Sequence, residues 1–257
     1  MESAGRPERR SLNSRSLIAS TLLGRHPATL SGKLLVALGE LFGIAPGTTR
    51  VALSRMVRNG ELTNDDGLYT LAGALAQRQQ RQDDSRVPDT SREDSWDQSW
   101  EQWVVGAEAR SADERANLRT AATALKLAEL RDGVWLRPAN LPTGRLAAAT
   151  AIMAAQADRL ISQPEQPEAM AQTLWDLAGW AQVAEELLAD IEADPVDELP
   201  ESFGLAAEVV RHLLHDPALP EELLPASWPG SRLRVAYDLH EQRMQESLRA
   251  FYRSHSQ

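Results

Sequence analysis

The sequence predicts a mainly α protein with α+β parts, folded in three segments over residues 14–82, 96–165 and 166–257. Three observations predict it. Apolar residues recur at helical spacing along most of the chain, short β-branched and aromatic runs interrupt them, and polar or proline-rich stretches divide it. The first division is Gln77–Ser95, whose QRQQRQDD and RVPDTSRED runs cannot supply a core; a helical turn leads into it. The second is Asn140–Gly144, where Pro138, Pro142 and Gly144 cluster, and the third is Gln163–Pro167. Residues 1–13 are then a flexible basic arm and 83–95 a linker. No internal repeat is visible.

In the first segment, Leu17, Ile18, Thr21 and Leu22 make an amphipathic helix. Ser31 caps a second helix with the core face Leu34, Leu35, Leu38 and Leu41, and Gly43 closes it from a position that favours positive φ. Pro46, with its fixed φ and missing N–H, suits the first turn of a third helix that runs to Asn59 and stops at Gly60. Glu61–Thr63, Asn64-Asp65-Asp66-Gly67 and Leu68–Leu71 then read as a β-hairpin, because Asp-Gly tolerates a tight primed turn. Helix, tight turn, helix and hairpin make a winged helix-turn-helix, whose later helix enters the DNA major groove.

Turned at about 100° per residue, the third helix gathers Thr49, Ala52, Leu53, Met56 and Val57 on one arc. Thr48, Arg50, Val51, Ser54, Arg55 and Arg58 fill the other, and these are the candidate DNA-binding residues. Guanidinium groups bond phosphates or fork onto guanine, hydroxyls serve either target, and Val51 suits a thymine methyl. A solvated amphipathic helix shows the same segregation; the hairpin that follows at once is what favours DNA. The hairpin tip, Asn64–Gly67, is acidic and makes a weak phosphate clamp.

In the second segment, Trp103–Gly106 reads as a strand, Ala112–Leu130 as a helix with the stripe Leu118, Ala121, Ala122, Leu125 and Leu130, and Val134–Leu136 as another strand after Asp132-Gly133 ends the helix. This β-α-β pattern makes a small α+β unit. The third segment is helical at Ala169–Ile191, Phe203–Leu214 and Leu233–Tyr252, with Pro195, Pro217, Pro220, Pro225 and Pro229 at the joins.

The net charge of −10 excludes a chain that coats nucleic acid over its whole surface. Residues 1–82 hold 11 Lys+Arg against 6 Asp+Glu, net +5, which leaves 16 against 31, net −15, for the remainder. A basic head on an acidic body fits a DNA reader with a separate effector region. There is no cysteine, which excludes disulfides and thiolate sites and suits a reducing compartment. The longest apolar run, Leu146–Ala155, is half of what a spanning helix needs, and Leu17–Leu23 is followed by Gly24-Arg25-His26 without a cleavage site. The expectation is a cytoplasmic protein with no membrane partner.

GIAPGTTRVALSRMVRNGEL, which spans the third helix, resembles the recognition helix of the phenylacetic acid degradation repressors, the PaaX-like regulators. LAGALAQRQQRQD after the hairpin, GVWLRPANL in the middle and HDPALPEELLPASWPGSRLR in the tail continue the likeness over nearly the whole chain. The resemblance implies a homodimeric repressor of operator DNA with an N-terminal winged helix, a central ferredoxin-like domain similar to Cas2 nucleases and a helical C-terminal domain. It also implies release by an aryl-acyl-CoA thioester such as phenylacetyl-CoA. No cofactor is expected.

Other readings stay open. A Cas2-like middle domain cuts nucleic acid only if a carboxylate near the end of its first strand holds a metal, and here no acid follows Trp103 until Glu108. A winged helix can also serve as a protein-interaction module without DNA affinity. His212 and His215 sit three apart on a helix, but two imidazoles do not make a metal site. No phosphate loop or catalytic motif is present. Trp135, Trp175, Trp180 and Trp228 either line an aromatic pocket, with Arg137 or Arg232 on a CoA phosphate, or simply pack a core. Trp135, Arg137 and Asn140 are the candidate ligand residues; Arg137 and Asn140 fit equally as hydrogen-bonding links between domains. Arg6, Arg9, Arg10 and Arg15 form a basic arm that either reaches DNA or remains a free end.

Overall fold

The fold is described from a computed structural model, which covers residues 13–76, 78–79, 96–106, 111–142, 144 and 146–255. The linker 83–95, Arg6, Arg9, Arg10 and Glu108 lie outside the described residues. Helices predominate, with two small antiparallel sheets. The chain separates into two compact units: residues 1–89, 187–210 and 235–257 in the first, and 90–186 and 211–234 in the second.

The first unit opens with α1 (Ser14–Leu23), whose N-cap Asn13 accepts a hydrogen bond from the Ser16 amide. Strand β1 (Thr29–Ser31) leads directly into α2 (Gly32–Leu41), capped by Ser31, and α3 (Pro46–Arg58) begins on its proline. Gly43 and Gly60 take positive φ just beyond the ends of α2 and α3, as their places in the sequence suggest. Strands β2 (Leu62–Asp65) and β3 (Leu68–Leu71) form the hairpin, with Asp66 and Gly67 both at positive φ in a two-residue turn. The sheet order is β1-β3-β2. β1 is an addition to the sequence reading; its three residues are too few to show an alternation.

One core runs through this unit. Leu17, Ile18 and Leu22 of α1, Leu35 and Leu38 of α2, Leu53 and Met56 of α3 and Leu62 of β2 pack with Leu199, Phe203, Met244, Leu248 and Tyr252 from the C-terminal helices. α2 and α3 cross closely at Gly39, where an added Cβ would overlap the Thr49 Oγ1. Gln245 donates to the Gly24 carbonyl (3.1 Å), and the Arg25 guanidinium lies over the Tyr252 ring at 5.2 Å. Burial pushes the Tyr252 hydroxyl up to about 12.

In the second unit, β4 (Trp100–Val105), α4 (Ala112–Ala124), β5 (Ala128–Arg131), β6 (Val134–Pro138), α5 (Ala147–Ala154) and β7 (Ala157–Ser162) follow in order, and the antiparallel sheet runs β5-β6-β4-β7. Trp103 and Trp135, paired across β4 and β6, pack against Leu118, Ala121, Ala122 and Met153 of α4 and α5. Trp100 and Leu136 pack on another cluster with Ala171, Leu177, Leu219 and Leu223. α6 (Pro167–Leu174) and the helices α7 (Leu177–Ala193), α8 (Leu199–Leu214) and α9 (Gly230–His255) complete the chain, the last three contributing residues to both units.

Two expectations need correction. The helix expected over Ala112–Leu130 stops at Ala124, because Lys126 turns to φ +63° and 128–131 enter the sheet; Asp132-Gly133 is therefore a hairpin turn between β5 and β6 rather than a helix end. The helix expected over Ala169–Ile191 is two helices, broken at the extended Trp175, after which the Asp176 carboxylate accepts the Gly179 amide.

Candidate nucleic-acid interface

α3 carries the candidate site. Its inward side buries Thr49, Leu53 and Met56 and half-buries Ala52 and Val57, so helical periodicity turns Thr48, Arg50, Val51, Ser54, Arg55 and Arg58 outward, and all six are exposed. Among the described residues, Arg50, Arg55 and Arg58 have no carboxylate partner. Their donors are therefore free for an external anion, with Arg55 and Arg58 in the last turn of the helix. The Ser54 hydroxyl donates to the Arg50 carbonyl (3.0 Å), which leaves its oxygen as an acceptor.

Arg15, read in the sequence with the basic arm, belongs to α1 and forks onto Glu61, at 2.8 Å from Nη2 and 3.0 Å from Nε. The side-chain hydrogen bonds that Arg15 donates to Glu61 raise its pKa above the ordinary value. A shallow groove of about 620 Å³ runs between this first turn of α1 and α3, lined by Arg15, Thr48, Val51, Arg55, Asn13 and Asn59 among others. Asn13 and Asn59 escape the sequence reading because they sit at helix caps, outside the periodic faces. At the hairpin tip Asp65 and Asp66 are exposed, while the Asn64 Oδ1 accepts the Gly67 amide (3.0 Å).

The candidate ligand residues have different surroundings. Trp135 is buried against Trp103 and its neighbours. Arg137 is 0% exposed: Nε donates to the Pro138 carbonyl (2.9 Å), Nη1 to Leu125 (3.2 Å), and Nη2 to Asn140 Oδ1 (2.7 Å) and the Ala218 carbonyl (3.0 Å). Asn140 Nδ2 donates to the same Ala218 carbonyl (3.0 Å). Asp216 accepts the Ala218 amide and the Arg234 guanidinium. The WLRPAN and HDPALP stretches are thereby bonded to each other. Trp180 stacks between Trp228 and His212, each at 4.4 Å, and Trp175 packs beside Trp100. Burial in the stack holds the His212 imidazole below its ordinary value. Arg232 pairs with Glu185. Among the described residues no group of three His, Asp or Glu is placed to hold a metal, and no helix is long and apolar enough to cross a membrane.

Residues 13–75 match the family model described as PaaX-like protein, and residues 164–254 match that of the PaaX-like protein C-terminal domain. Together they span more than half of the chain. The chain belongs to the PaaX-like family. It is thus a member of a family of transcriptional regulators, and the α3 face lies within the first matched stretch. The solved structure of the uncharacterized protein Rv0674 from Mycobacterium tuberculosis is similar throughout: 41% identity over 93% of this chain and 99% of that one, with a TM-score of 0.78. That likeness takes in the second sheet, which neither PaaX-like model covers. No curated protein matches the chain.

Proposed function

We propose that this PaaX-like chain is a DNA-binding transcriptional regulator that acts as a repressor, with α1–α3 and the β2–β3 hairpin as its winged helix-turn-helix. The observation that carries this is the face of α3 with Arg50, Arg55 and Arg58 exposed, on one side of the helix and without carboxylate partners among the described residues. A helix held by its apolar side against α1 and α2, with guanidinium groups outward, suits the major groove and its flanking phosphates. Thr48 and Ser54 add hydroxyls to the same face.

The strand order β5-β6-β4-β7, with two helices on one face, supports a ferredoxin-like reading of the middle segment. Family membership supports the phenylacetate context, a homodimer on a two-fold operator and release by an aryl-acyl-CoA. The bonds that Arg137 and Asn140 make to each other and to the Ala218 carbonyl favour an internal strut over a ligand contact for that pair. A gel shift of the full chain on the DNA upstream of its own gene tests the reading. Retarded DNA that phenylacetyl-CoA releases is the expected result; no retardation at low salt defeats it.

A further inference from the structure

We propose that Val51 sets base preference by seating a thymine C5-methyl group, an inference that rests on the DNA-binding reading of α3. Val51 is 52% exposed and is the one large apolar side chain that α3 leaves in the open. A single exposed valine is ordinary on a protein surface; its setting here is not. It follows Thr48 by three residues and precedes Arg55 by four, so it stands in mid-stripe between them, and all three line the groove beside α1. Every other outward residue of that stripe is polar or charged. Exposed valine gains nothing in the free protein, being a weaker helix former than the alanine or arginine around it.

Within the major groove the matching apolar partner is specific. Base edges present donors and acceptors, and the C5-methyl of thymine is the one hydrocarbon group among them. A β-branched side chain on a helix is held in one χ1 well, so the Val51 methyls meet that group without losing rotamer freedom. The flanking Arg50 and Arg55 fix register on phosphate or guanine, and Val51 then discriminates thymine from cytosine at the step between them.

The test selects bound duplexes from a random pool with the full chain, then replaces each thymine of the selected site in turn by uracil, which removes only the methyl group. One position is expected to weaken binding about fourfold per contact, the value of one buried methyl-sized group. In Val51→Ala, a substitution that an exposed helix position tolerates, uracil at that position is expected to have no effect, and 5-methylcytosine in place of cytosine there is expected to strengthen binding to the unaltered protein only. Uracil tolerated at every position, or an equal loss in Val51→Ala, overturns the inference while leaving DNA binding intact. Failure to enrich any duplex overturns the underlying reading instead, and the two failures are distinguishable.

Discussion

Arginine is put to opposite uses in two parts of the molecule. On α3, Arg50, Arg55 and Arg58 stand exposed with no carboxylate partner among the described residues, whereas on β6 the Arg137 guanidinium is wholly buried and donates to three carbonyls and an amide oxygen. The first arrangement keeps charge available to an external anion; the second uses the same chemistry to join distant parts of the chain. Charge alone therefore says little about an arginine's role. What decides it is whether the donors are already occupied.

This contrast can be broken or sharpened by substitution. Arg137→Ala leaves several buried acceptors unpaired and is expected to cost about 3 kcal/mol or more, lowering the melting temperature by roughly 6–12 °C. Arg137→Lys should recover little, since an ammonium lacks the fork. A small shift in either variant would remove the strut from the account. Gly39→Ala, which overfills the α2–α3 crossing, should cost about 1–3 kcal/mol in urea denaturation, and less when combined with Thr49→Ala, because the two side chains compete for one space. Arg55→Ala belongs to the other class: operator affinity should fall by at least about 1 kcal/mol with the melting temperature nearly unchanged. Unchanged affinity in a gel shift takes Arg55 out of the interface.

Smaller effects test the edges of the comparison. Asp66→Asn keeps a residue that tolerates positive φ but removes one charge from the hairpin tip, so affinity should rise by less than about threefold. A tenfold rise, on the order of 1.4 kcal/mol, would mean that the tip presses on the DNA backbone. His212, with its pKa lowered by burial, contributes stability that is complete above the ordinary value. As pH falls from about 6.5 toward the folded pKa, the unfolded chain takes up the proton first and that stability declines. In His212→Gln the urea midpoint should vary less across this window than in the unaltered protein.

Local signals made much of the first unit legible. Ser31 caps α2, Pro46 starts α3, Gly43 and Gly60 follow the helix ends, and Asp66-Gly67 turns the hairpin, each a rule acting over a few residues. The outward face of α3 followed from periodicity alone. What the sequence hid depends on distance or on unmarked backbone. Lys126 carries positive φ without being glycine, and Ala128–Arg131 has a composition that suits a helix, so β5 went unseen. β7 follows an alanine-rich helix that gives no turn signal. Arg15 meets Glu61 across 46 residues and Arg137 meets Ala218 across 81, separations at which no spacing rule operates.

The core that α1–α3 share with Phe203, Leu248 and Tyr252 has a consequence for synthesis. On the ribosome the N-terminal helices emerge at roughly 5–20 residues per second, long before the helices that complete their packing. The core that holds Leu17, Leu22 and Leu38 is therefore completed only after about 160 residues or more of further translation, a contact order that makes this unit slow to mature. A message cut short before Tyr252 yields a chain whose arginine helix lacks a finished foundation.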